Sequence, residues 1–273
     1  MGYEGLVGIG VEVVAGVATI TVDHPPINLF ELGVFRSMAT VAEQLADDDE
    51  VRVVVARSAN PEWFIAHFDV AAILTFPPGA PAPTELNTYH RMCEVFRTMP
   101  KPTIAVVEGR VGGGGSELVS SFDMRFASLD AIFNQPEVAL GILPGGSGTV
   151  RLPRLIGRSR SLEVILGCDD VDARTAEAWG WVNRALPADE LWPFVDRLVQ
   201  RLASFPPHAV AAAKAMVLRA EHGVHDDLLA EGAAFNGTIG HPATTAAMQR
   251  FLELGGQTPA GERRLGDLAG ELS

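Results

Sequence analysis

At 273 residues and 29.1 kDa, the chain is long enough to bury a sizeable core without disulfide staples. A formal net charge of −13 denies it the basic footprint that nucleic acid or an anionic membrane surface requires. With 47% hydrophobic residues and no apolar run of the ~18 residues that cross a bilayer, the composition is that of a soluble globular protein. Cys93 and Cys168 are isolated and read as small core residues in a reducing compartment. The first residues lack a basic start followed by an apolar core and a cleavage site, so a cytoplasmic location is expected.

Residues 8–16 and 17–23 are short β-rich runs that predict a hairpin turning at Ala15-Gly16, and His24-Pro25-Pro26 stops the second strand. Helical spacing of apolar residues predicts a helix over 31–46, ending in the acidic stretch 47–50. The β-branched run 51–56 fits a buried strand, so the order strand–strand–helix–strand reads as a repeating ββα unit. Residues 76–83 (FPPGAPAP) are too rich in proline and glycine for an element interior and read as a loop. An amphipathic helix over 85–99, a buried strand over 103–108, and short strands over 123–128 and 131–134 follow. Beyond Gly145 helices dominate, with one strand-like segment at 181–185. Segments 191–204, 207–221, 226–239 and 243–254 are helical in period and rich in alanine. The tail 255–273 is weakly patterned, and partial disorder is expected there.

The most informative stretch is the glycine run Gly112–Gly115, followed by Ser116 and Glu117. It lacks the lysine of a Walker loop, the spacing of a dinucleotide fingerprint, and the last glycine of a nucleophile elbow. No zinc spacing accompanies it. What remains is a strand–glycine–helix junction offering free backbone N–H groups, with Glu117 behind it and Glu137 on the next element. Taken singly, the glycines fit a tight turn, Glu117 fits a helix-stabilising acid, and Glu137 fits a solvated loop acid after Pro136. A carboxylate pair beside backbone donors is also what proton chemistry next to an activated carbonyl requires.

The pattern Phe-x-Ala-x-x-Asp over 64–69, then GGGGSEL, QPE at 135–137 and LPGGSGTVRLPR at 143–154, in that order, resembles the crotonase (enoyl-CoA hydratase/isomerase) superfamily. The resemblance runs from the Pro25-Pro26-Ile27-Asn28 turn to the helices after Asn183. It implies an α/β fold, a crotonase-like spiral of ββα units with a C-terminal helical region. A boundary near residue 204 divides a spiral core with an acyl-CoA site (1–204) from a helical oligomerisation region (205–273).

The resemblance further implies a CoA thioester whose carbonyl oxygen is held by the backbone N–H groups of Phe68 and Gly114. Ala66 falls where the backbone meets the adenine ring and Gly145 lines the pocket. His67, Asp69 and Gly113 complete the substrate-binding stretch. Glu117 and Glu137 match both acids of the hydratases, with Glu137 delivering a proton to C2 and Glu117 activating water. Retention of both favours hydration of a trans-2-enoyl-CoA. Isomerase or other acyl-CoA lyase chemistry, or a silent acyl-CoA-binding scaffold, stay as alternatives. No metal or cofactor beyond the substrate's CoA is implied, and a homotrimer or dimer of trimers is.

Three departures mark this chain. The oxyanion loop carries the large His67 and Phe68, expected to narrow the acyl pocket, and His67 reads either as a loop histidine or as a group titrating near the substrate. Ala71 stands where a lysine is common. The chain has only Lys101 and Lys214, so Arg250, Arg263 or Arg264 are the candidates to meet CoA phosphates.

Overall fold

The computed structural model describes residues 2–272. β1 (Ile9–Val14) and β2 (Val17–Val22) form the antiparallel hairpin, turning through Ala15 (φ 50°) and Gly16 (φ 80°). Positive φ at both central residues matches a turn whose twist suits paired strands. α1 (Leu32–Asp47) then buries Val34, Phe35, Met38, Val41, Ala42 and Leu45 on one face.

The spiral follows. β3 (Val53–Ser58) and β4 (Trp63–Ile65) lead to the short α2 (Val70–Ile73) and then α3 (Thr88–Thr98). β5 (Thr103–Val107) and β6 (Arg110–Gly112) lead to α4 (Gly113–Val119). β7 (Met124–Ser128) and β8 (Ile132–Asn134) lead to a 3-10 turn, Glu137–Leu140. Each winding gives one strand to each of two sheets: β3, β5 and β7 pair in parallel in the first, and β4, β6 and β8 in the second. Strands buried on both faces need continuous apolar runs, which β5 supplies from Ile104 to Val107.

The chain continues through α5 (Gly148–Ile156), α6 (Arg158–Gly167), β9 (Val171–Asp172), α7 (Ala173–Trp179) and β10 (Arg184–Leu186). α8 (Ala188–Ser204) and α9 (Pro207–Leu218) follow; α9 buries none of its side chains fully and exposes Met216 and Val217. α10 (Val224–Thr238), α11 (Pro242–Glu253), α12 (Pro259–Glu262) and α13 (Leu265–Gly270) complete the fold.

Two expectations are corrected. The strand expected at 181–185 starts at Arg184, because Trp181 is swallowed by the core, its indole donating to Ser120 Oγ at 3.1 Å. The tail, expected to be weakly structured, carries α12 and α13: Glu262, Leu265 and Leu268 are buried, Glu262 against His67, and α13 packs against the 3-10 turn.

Candidate active site

Two backbone segments meet first. After β4 the chain runs through Ala66, His67 and Phe68 beside Phe30. Phe30 N–H donates to His67 O at 2.9 Å and Asp69 N–H to Phe30 O at 3.3 Å. That pairing fixes both peptide planes around Phe68 without using its own N–H. Opposite, β6 hands over to α4 through Gly113 (φ +45°), and Gly114 lies in the first helical turn, where N–H groups have no intrahelical partner. A Cβ on Gly114 would stand 3.5 Å from Phe68 N and 3.0 Å from Tyr89 Oη. The two N–H carriers are therefore adjacent, and the Tyr89 hydroxyl donates to Gly114 O at 2.5 Å. A Cβ on Gly113 would meet Glu137 Oε1 at 2.8 Å, so the glycine lets the acid approach this junction.

The two glutamates face the same space. Glu117, on α4, is 4% exposed, and its Oε1 accepts the N–H groups of Gly146 (2.8 Å) and Gly148 (2.7 Å). Burial, then the charges of Glu137 and Glu231, push its carboxyl well above the usual range, while those two N–H bonds oppose the shift. Glu137 opens the 3-10 turn and is 8% exposed, not solvated; among the described residues its Oε2 has no hydrogen-bond partner. Burial is the main cause that lifts it to about 7, with the nearby His67 pulling the other way. At Gly146 a Cβ would collide with the Tyr89 ring at 2.6 Å and Glu117 Oε2 at 2.7 Å, which keeps this side of the site backbone-lined.

These groups border a cavity of about 300 Å³. Most of its remaining wall is apolar and aromatic, with Phe35, Phe68, Phe76, Tyr89, Phe235, Val70, Ile73, Leu140 and Ile142, and Asn87, Thr88 and Asn236 add polar edges. Phe76 brings the proline-rich loop to this wall. Glu117, Glu137, Phe68, Gly114, His67 and Gly145 all line the cavity. Ala66 packs beside Ile27 and Trp63, and Asp69 caps α2 through Ala71 N–H (2.9 Å) while accepting from Gln257 Nε2 (2.7 Å).

His67 is neither a surface nor a mobile-loop histidine. It is 3% exposed, with Nδ1 2.8 Å from Phe68 O and Nε2 3.0 Å from Glu262 Oε1. Burial alone would lower its pKa; the charge and hydrogen bond of Glu262, with the Phe68 carbonyl, outweigh that and raise it to about 9.

Glu262 and Glu231 escaped the sequence reading. Glu231 on α10 accepts Ser147 N–H (2.6 Å), Thr149 N–H (2.9 Å) and the Thr149 hydroxyl, and faces His90 Nε2 at 3.1 Å. A signal existed: Leu228, Glu231 and Phe235 follow helical spacing, which puts an acid on an inward face. The candidate phosphate-binding arginines each stand by a carboxylate: Arg250 by Glu253 (3.8 Å), Arg263 by Glu62 (3.0 Å) and Arg264 by Glu271. Among the described residues no group of three or more His, Cys, Asp or Glu side chains is placed to hold a metal ion. No helix there is long and apolar enough to cross a membrane.

A spiral of ββα units thus brings two buried carboxylates and two adjacent backbone N–H carriers to one cavity, an architecture of the crotonase type. Residues 12–258 match the profile of the family described as enoyl-CoA hydratase/isomerase, and the chain belongs to that family. It is 32% identical over 248 residues to a short-chain-enoyl-CoA hydratase of Clostridium acetobutylicum, covering 87% of this chain and 91% of the relative. The crystal structure of an enoyl-CoA hydratase homologue from Streptomyces avermitilis superposes with a TM-score of 0.89 at 39% identity, over 98% of this chain and 99% of that one. An enoyl-CoA hydratase structure from Mycobacterium avium subsp. paratuberculosis gives 0.81 at 26% identity, over 91% and 97%.

Proposed function

We propose that the protein adds water to trans-2-enoyl-CoA thioesters, giving 3-hydroxyacyl-CoA. The carrying observation is that Glu117 and Glu137 are both present, both buried and both open to one cavity. The Phe68 and Gly114 N–H groups receive the thioester oxygen as negative charge develops on it; each such donor is worth about 3–4 kcal/mol at the transition state. Glu117, gripped by two N–H groups that favour its ionised form, takes a proton from water as the water oxygen bonds C3. Glu137, whose free oxygen suits a protonated acid, gives its proton to C2. Passing the proton from Glu117 back to Glu137 restores the starting state.

A homotrimer or dimer of trimers belongs to the same reading, supported by the outward Met216 and Val217 of α9. The test follows the loss of enoyl-thioester absorbance over short to long trans-2-enoyl-CoA substrates, with product identified by mass. A gain of one water supports hydration. A 3-enoyl substrate converted without mass change makes the enzyme an isomerase, and tight acyl-CoA binding without turnover makes it a scaffold.

A further inference from the structure

The ion pair behind the oxyanion loop links two parts of the chain far apart in sequence. Phe68 O can only accept, so His67 Nδ1, at 2.8 Å, carries a proton. Nε2 faces Glu262 Oε1, which already accepts Gln257 N–H at 2.7 Å, the bonding of an ionised carboxylate, so Nε2 is a donor too. This bonding suits an imidazolium, and Phe251 seals the ring edge-on at 5.6 Å between ring centres. The same tail residue, Gln257, also donates its side-chain amide to Asp69 at 2.7 Å. The tail thus grips the loop on both sides of Phe68.

Other charges around the pair are accounted for. Glu137 lies across Gly113, and Asp69 is on the loop itself. Arg110, on β6 beside Glu262, is bound to both oxygens of Asp170 (2.7 and 2.6 Å), and Arg263 is paired outside with Glu62.

We propose that His67, held doubly protonated by Glu262, is a positioning residue for the oxyanion hole, and that docking of residues 257–262 supplies the carboxylate that keeps it so. This rests on the thioester reading of the cavity. His67 Nδ1–H fixes the peptide after Phe68 while Phe30 N–H fixes the one before it, so the Phe68 N–H points one way only.

The test pairs kinetics with a readout independent of turnover. In ¹⁵N NMR of the substrate-free protein at pH 7.5, both His67 ring nitrogens are expected to be protonated, and one is expected to lose its proton in Glu262→Gln. In that variant kcat should fall roughly 10- to 100-fold with KM changed far less. The loss relative to the unaltered enzyme should deepen from pH 6 to pH 8. Glu262→Asp, which keeps the charge, should restore the pH profile. A neutral His67 ring in the unaltered protein overturns the proposal, as does a Glu262→Gln loss that is uniform with pH. If no thioester turns over while the ring is charged, the hydratase reading fails. Acyl-CoA affinity that is then insensitive to Glu262→Gln overturns the positioning role as well.

Discussion

Glu117 and Glu231 divide the N–H groups of one short stretch between them: Glu117 takes Gly146 and Gly148, and Glu231 takes Ser147 and Thr149. The first turn of α5 is thus clamped from both sides by carboxylates belonging to α4 and α10. Since α10 also carries Phe235 of the cavity wall, the placement of Glu117 and the closure of the pocket depend on one buried acid.

Replacing Glu231 with alanine would strand two N–H groups and His90 inside the protein. Each buried donor left unsatisfied costs about 1–3 kcal/mol, so Glu231→Ala should lower the urea midpoint markedly. Glu231→Gln keeps one acceptor and should lose less stability while still slowing turnover. Equal stability and equal kcat in both variants would remove Glu231 from the support of Glu117.

The acids themselves should behave as a coupled pair. Glu117→Gln and Glu137→Gln are each expected to cut kcat by about 10²–10⁴ with folding intact, the usual size of a positioned acid–base contribution. Since burial raises both carboxyls, Glu137 to about 7, and their like charges couple them, the pair sheds one proton near neutrality while holding the other. The kcat/KM profile should therefore rise through pH 7 to a plateau, and an acid limb near the ordinary carboxyl range of 4.5 would contradict this burial.

The His67–Glu262 pair should leave a mark on stability as well as on rate. His67 is raised from 6.5 to about 9 in the folded state, so its contribution is complete below pH 6.5 and is lost as pH rises through 9. Glu262 is lowered from 4.5, with burial opposing and the charge of His67 driving the shift; its contribution is complete above 4.5 and is lost as pH falls through the folded value. The destabilisation caused by Glu262→Gln should therefore be greatest between pH 4.5 and 6.5, about 3–5 kcal/mol, and shrink above pH 9. Urea unfolding at pH 6 and pH 10 measures this directly.

What the sequence disclosed follows from how local each feature is. Gly113, Gly114, Glu117 and Glu137 lie within 25 residues, in two short motifs that the sequence displays openly. The hairpin and the long helices were legible through their periods. β4, β6 and β9 span only two or three residues, too few to show alternation. The burial of His67 depends on Glu262, 195 positions away, and the clamp on Ser147 depends on Glu231, 84 positions away. No local pattern encodes such pairings. In the tail, Glu262, Leu265 and Leu268 repeat every three residues, but neighbouring glycines and arginines mask the stripe.

Phe68 separates a backbone role from a side-chain one. Its N–H is placed by Phe30 and His67, whereas its ring packs against Phe30 (6.3 Å), Phe35 (6.0 Å), Tyr89 (6.0 Å) and Phe76 (6.4 Å) at the cavity wall. Phe68→Ala keeps the donor and removes the ring; because Phe68 is only half-buried, the stability cost should fall below the roughly 3–5 kcal/mol of a fully buried ring. The vacated space adjoins the acyl cavity, so the preference among enoyl-CoA substrates should move toward longer or bulkier acyl groups. Turnover of short ones should persist within about tenfold, because the donor they use is unchanged. A collapse of kcat on every chain length, in a variant that still folds, would show instead that the aromatic packing is what holds the Phe68 N–H in place.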